Sequence, residues 1–230
     1  MSYISSISAS QIQSFTTGQI AALSTSQVKE LSIAQVGALS SAQINAMENA
    51  DVLVLSGAQI GAINVTAMSA VYDRKSLLAA NQISNLTTSQ IAAFTTAALS
   101  YINTTDIQKL SAAQLNAFQT GVVAAMGTDQ IQALTTTQIN QLSTNQLNKL
   151  TNTQVQALTT AQVQSLTKIQ LGSLTTAQVS NMETADVAAI SASQIAGLST
   201  AAVAALTTAQ AVALTSAQIA GMTTSQVAAM

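Results

Sequence analysis

Few side chains in this chain could do chemistry, and the carboxylates are the first to consider. Glu48 and Asp51 in Met47-Glu48-Asn49-Ala50-Asp51 stand three residues apart, as do Glu183 and Asp186 in Met182-Glu183-Thr184-Ala185-Asp186. That spacing places each pair at the start of a helix, where negative charge meets the positive end of the helix dipole. The same four oxygen donors are weak calcium candidates, since hard cations want several oxygens. Two carboxylates without an Asp/Gly-rich loop are too few to hold the ion firmly, and no other metal or cofactor site is expected. Lys75-Ser76 is the one Ser-Lys neighbour pair that could form a nucleophile. With no His and no Cys anywhere, Ser-His and Cys-His pairs are excluded, so an enzyme is not expected.

The polar residues that remain belong to a repeat. Leu158-Thr159-Thr160-Ala161-Gln162-Val163-Gln164-Ser165 is followed at once by Leu166, and Leu206-Thr207-Thr208-Ala209-Gln210 by Leu214. A fixed short period denotes units that stack on their neighbours and cannot fold alone. Counting from the large apolar residue as position 1, Gln holds position 5 in 20 of the 28 units. Position 2 is mostly Ser or Thr, position 6 is apolar, and positions 4 and 8 are mostly small. Asp51, Asp106 and Asp186 replace Gln at position 5. The register runs over the whole chain, 1–230, as a single array that slips by one residue in the seven-residue unit 71–77. That unit also holds Asp73-Arg74-Lys75, which suits a solvated kink better than a docking site.

The octad dictates its backbone through capping chemistry. Ser or Thr at position 2 with Gln at position 5 has the spacing of a capping box, and positions 1 and 6 then form the hydrophobic staple. One long helix fits badly, because eight residues advance roughly 80° past two turns and the apolar stripe would wander. A flat strand fits badly too, since positions 1 and 6 would point to opposite faces. The expected fold is all-α, a solenoid of very short capped helices with one helix per octad. The rival is a β-solenoid with Thr and Gln in ladders, which the abundant Ala and Leu disfavour. The expected core includes Leu134, Leu158, Val163, Leu166, Leu174 and Leu206. The expected caps are Thr159 with Gln162, Thr175 with Gln178, and Thr207 with Gln210, with Gln acting mainly within its own helix. Phe15, Phe94 and Phe118 occupy position 1 as enlarged core residues.

Composition narrows the function classes. Only 6% of the 230 residues are charged, with a net charge of −2, so little repulsion keeps copies apart. Six scattered Lys and Arg cannot neutralise a run of phosphates, which excludes nucleic acid as a partner. Mean hydropathy is +0.38, yet every octad is interrupted by Ser, Thr or Gln, so membrane insertion is not expected. Without cysteine the redox compartment stays open. Met1-Ser2-Tyr3-Ile4-Ser5-Ser6 has neither a basic n-region nor an apolar h-region, so no cleavable secretory signal is visible. Met1 to Val28 and Val187 to Met230 carry no charged side chain, which favours end-to-end addition of another copy or continuation of a longer array.

The motif Leu-Thr-Thr-Ala-Gln-Val-x-Ala resembles the octapeptide arrays of large, low-charge bacterial surface or secreted structural proteins, over Ile7 to Met230. The resemblance implies an extracellular or cell-surface place, reached by a route without a cleavable N-terminal signal, and a fibrous or adhesive role. The expected function is a non-enzymatic structural protein, its partner a further copy of itself, assembling end to end into a filament or matrix fibre. The alternative is a monomeric binding module that presents its Thr/Gln face to a surface, a polysaccharide or ice.

Overall fold

A typical octad closes on itself before it meets any neighbour. In the unit that starts at Leu158, the Thr159 hydroxyl accepts the Gln162 N–H at 3.3 Å, and Gln162 Oε1 accepts the Thr159 N–H at 2.8 Å. The capped helix, Thr160–Ser165, lasts one and a half turns, and Val163 N–H donates back to the Thr159 carbonyl at 3.0 Å. Leu166 then takes an extended conformation (φ −63°, ψ 135°) while its N–H donates to the Val163 carbonyl. The extended residue turns the chain into the next N-cap, Thr167, and the sequence of events repeats. No octad is long enough to sustain a helix alone, so the stability must come from stacking.

A computed structural model describes residues 3–72 and 80–230. The described residues form a short 3₁₀ turn, Tyr3–Ser6, and helices of four to eight residues, with no strand among them. The architecture is the all-α repeat solenoid, not the β-solenoid. The Asp73-Arg74-Lys75 cluster, the Lys75-Ser76 pair and most of the seven-residue unit 71–77 lie outside the described residues.

The chain divides into two compact units, Met1–Gln119 and Thr120–Met230. Within the first, the helix Ala9–Gln13 packs on Ile33–Ala38, Thr17–Ala21 on Ser41–Ala46, and Ile33–Ala38 on Gly57–Ala62. Within the second, Thr136–Gln141 packs on Thr160–Ser165, Thr160–Ser165 on Thr184–Ala189, and Ala192–Ile195 on Ser216–Gly221. In both units a helix meets the third one along, so three octads make one coil. Phe94 and Phe118, one coil apart, stack edge to face with ring centroids 5.5 Å apart and are both buried.

Positions 1 and 6 supply the core. Leu134, Leu158, Val163, Leu166 and Leu174 are buried. Leu206 is only half-buried, although Leu214 and Met222, one and two octads later, are buried. Phe15 is half-buried too, whereas Ile7, one octad earlier, is buried. Backbones come very close where position 7 or 8 is glycine: a Cβ on Gly172 would lie 2.7 Å from the Gly197 carbonyl oxygen. Any larger residue there would push two coils apart.

Candidate functional site

Gln at position 5 is the side chain around which the coils are built. Its Oε1 accepts from its own N-cap, as capping requires. Its Nε2 does something the sequence spacing alone did not suggest, reaching the main chain of the preceding coil. Gln162 Nε2 donates to Ile131 O at 2.9 Å, Gln132 O at 3.3 Å and Leu134 O at 2.7 Å. The expectation that this Gln acts mainly within its own helix is therefore corrected. A primary amide carries an acceptor and two donors, so one buried side chain joins two coils.

The bonding follows a fixed spacing. Gln154, Gln162, Gln170, Gln178, Gln210, Gln218 and Gln226 each donate to carbonyls 31 and 28 residues earlier. Gln35, Gln43, Gln59 and Gln114 do the same in the first unit. The spacing drops to 30 and 27 for Gln82 and Gln90. Both of these reach across residues 64–81, so one residue is missing from the octad register there. Each accepting pair is a position-6 carbonyl, which also accepts the N–H of the next position-1 residue, and the carbonyl of that position-1 residue, at the C-terminal end of the helix.

Where position 5 lacks an amide, position 2 can supply one. Ala67 follows Asn64, whose Oδ1 accepts the Ala67 N–H at 2.8 Å while its Nδ2 donates to Leu39 O at 3.0 Å. Asn64 thus caps its own helix and takes over the carbonyl that a glutamine at 67 would use. Gln119, three residues before Val122, donates in the same sense to Ala92 O at 3.0 Å.

The four carboxylates weighed as a calcium site are placed differently. Asp51 and Asp186 are buried at position 5, whereas Glu48 and Glu183 are exposed at position 2. Asp51 Oδ2 accepts the Glu48 N–H at 3.3 Å. Asp186 Oδ1 accepts the Thr160 hydroxyl at 2.7 Å, and Glu183 Oε1 accepts Gln156 Nε2 at 2.8 Å. Those two bonds run in the opposite direction from the glutamine bonds, from the earlier coil to the later one. Among the described residues no three His, Cys, Asp or Glu side chains gather as metal ligands.

Asp106 is the remaining Asp at position 5. Its Oδ2 accepts the Asn103 N–H at 3.0 Å, and its buried Oδ1 has no hydrogen-bond partner. Burial pushes the Asp106 carboxyl above the ordinary carboxylate range, against the pull of the Asn103 N–H bond. Thr159 with Gln162, Thr175 with Gln178, and Thr207 with Gln210 each form a complete capping box. No described helix is long and apolar enough to cross a membrane.

A family model described as ALTTAQ repeat matches residues 12–49, 99–136, 107–144, 123–160 and 179–216, more than half of the chain. The matches at 99, 107, 123 and 179 begin whole octads apart, while the step from 12 to 99 falls one residue short. Among curated proteins none matches the chain.

Proposed function

The chain belongs to the ALTTAQ repeat family, and from that premise we propose that it is a non-enzymatic structural protein whose copies stack end to end into a filament or matrix fibre. One observation carries this reading: every glutamine coil has two unlike faces, and each face fits the other. The leading face presents glutamine amides, and the trailing face presents the carbonyls of positions 6 and 1. An interface between unlike faces gives a ring where its rotation closes and an open filament where it does not, and stacking along the axis of the coils advances with every copy, which favours the open fibre. The low charge of the chain supports the reading, since little repulsion opposes association. We place the fibre outside the cell or at its surface, following the resemblance carried by the octad motif.

Electron microscopy of the purified chain over a concentration series tests the proposal. Filaments that lengthen with concentration and have the coil repeat of the solenoid support it. Particles that remain monomeric at every concentration would sink it. If such monomers adsorb to polysaccharide or ice, the Thr-rich surface has the function and the role is that of a binding module.

A further inference from the structure

Three joints between coils follow one another in the second unit, and the middle one has lost most of its ladder. Below it, Gln162, Gln170 and Gln178 bind coil 158–181 to carbonyls between Ile131 and Leu150. Above it, Gln210, Gln218 and Gln226 bind coil 206–229 to carbonyls between Val179 and Leu198. In coil 182–205, position 5 holds Asp186, Gln194 and Ala202, and of these Gln194 alone donates, to Gln164 O and Leu166 O.

The register gives the missing bonds an address. Glutamines at 186 and 202 would reach Val155 and Leu158, and Leu171 and Leu174. Among the described residues no hydrogen bond reaches Leu158 O or Leu174 O. Two side-chain bonds stand in for the amides, Thr160 to Asp186 and Gln156 to Glu183. The second ends on an exposed carboxylate, where water competes for the same oxygen. Val187 and Ile195 are fully buried at this joint, so its deficit is polar.

We infer that this joint is a boundary of cooperative unfolding: residues 182–229 open and close as one block, and the opening stops at coil 158–181. No coil can order itself alone, so each stays folded only while its joints return more than its own ordering costs. When coil 206–229 comes away from its full joint, coil 182–205 keeps only the depleted one. That joint returns less than the coil costs to order, and coil 182–205 follows. Coil 158–181 below keeps its own full ladder and stays. A stack with equal joints would instead open coil by coil, with protection of the amides stepping at every joint. The chain thus has a preset place to open.

Hydrogen exchange read by mass spectrometry, on the dilute full chain in urea well below the unfolding transition, tests this. Amides of 182–205 and 206–229 are expected to share one protection factor, about 10-fold or more below that of 158–181. Asp186→Gln restores a donor to the joint and should raise protection in both stretches about 5-fold. Asp186→Glu has no amide to donate and should give no such rise. Gln218→Ala weakens the joint above, and should lower protection in 182–205 and 206–229 by the same factor while leaving 158–181 unchanged. Loss confined to 206–229 in Gln218→Ala, or a gain confined to 182–205 in Asp186→Gln, would mean that coils open singly and would overturn the block. Equal protection across 158–229 would remove the boundary. An equal gain from Asp186→Glu would overturn the missing amide as its cause.

Discussion

Residues 150–181 and 182–205 are neighbouring stretches of the same unit, with the same apolar seam and different polar bonding. In the first, Gln154, Gln162, Gln170 and Gln178 each hold a pair of carbonyls in the preceding coil. In the second, Asp186 and Ala202 occupy position 5 and only Gln194 donates in that manner. Two bonds there run backwards, from Gln156 to Glu183 and from Thr160 to Asp186. Val187, Ile190, Ile195, Leu198 and Val203 are nevertheless as buried as their counterparts upstream. Apolar packing is thus the constant of the stack, and the amide ladder is what varies. The difference between a strong seam and a weaker one is polar.

The comparison can be broken most decisively at Gln162. Gln162→Ala leaves the Ile131 and Leu134 carbonyls and the Thr159 N–H without their buried partner. The expected cost is about 3 kcal/mol, at about 1 kcal/mol for each buried hydrogen bond lost, measured by urea unfolding. The same change at Gln194, which is half-exposed, should cost visibly less. Thr159 and Ser199 each cap a helix through the side chain, one in either stretch, so Thr159→Val and Ser199→Ala should each cost about 1 kcal/mol. Unequal losses in thermal melts would mean that the two stretches differ in more than the ladder. Asp186→Gln restores a donor facing the Val155 and Leu158 carbonyls and should stabilise by about 1 kcal/mol. Hydrogen exchange through 183–190 would slow in step, and unchanged exchange would count against the ladder as the source of the difference.

The smallest effect depends on pH and belongs to Asp106 in the first unit. Its folded carboxyl has a raised pKa, so the fold disfavours the ionised form. The stabilising contribution of the protonated form is complete below the unfolded value of 3.8 and is lost as pH rises through the folded one. Asp106→Asn should therefore melt higher than the parent at pH 7, by up to about 1 kcal/mol. That advantage should fade as the pH falls through the raised folded value and be gone below 3.8, and melting curves across the pH range check it. An advantage that persisted in acid would point to a cause other than ionisation.

Much of the helix and its core was legible from eight residues, because capping is local chemistry. Thr159, Gln162 and the staple Leu158 with Val163 are fixed by contacts no more than five residues apart. The second function of Gln162 was not read, although one signal for it was present. A capping box tolerates Glu, yet position 5 never holds Glu in any unit. Only a need for the amide donor explains that preference. The number of octads in a coil was not legible, since it depends on how far each extended position-1 residue, such as Leu166, turns the chain. The half-exposure of Leu206 was missed because its octad has the same pattern as those whose position-1 leucine is buried, such as Leu158 and Leu166.

The acceptors in this ladder are peptide groups, which every octad owns whatever its side chains. The ladder therefore follows the course of the backbone beneath it, whatever side chains that backbone has. Inserting one octad moves all later helices to the next side of the coil, where the same peptide groups await them. Gain or loss of whole octads then requires no compensating change in the ladder itself. A gene for such a chain can lengthen or shorten by slipped copying and still encode a protein that stacks.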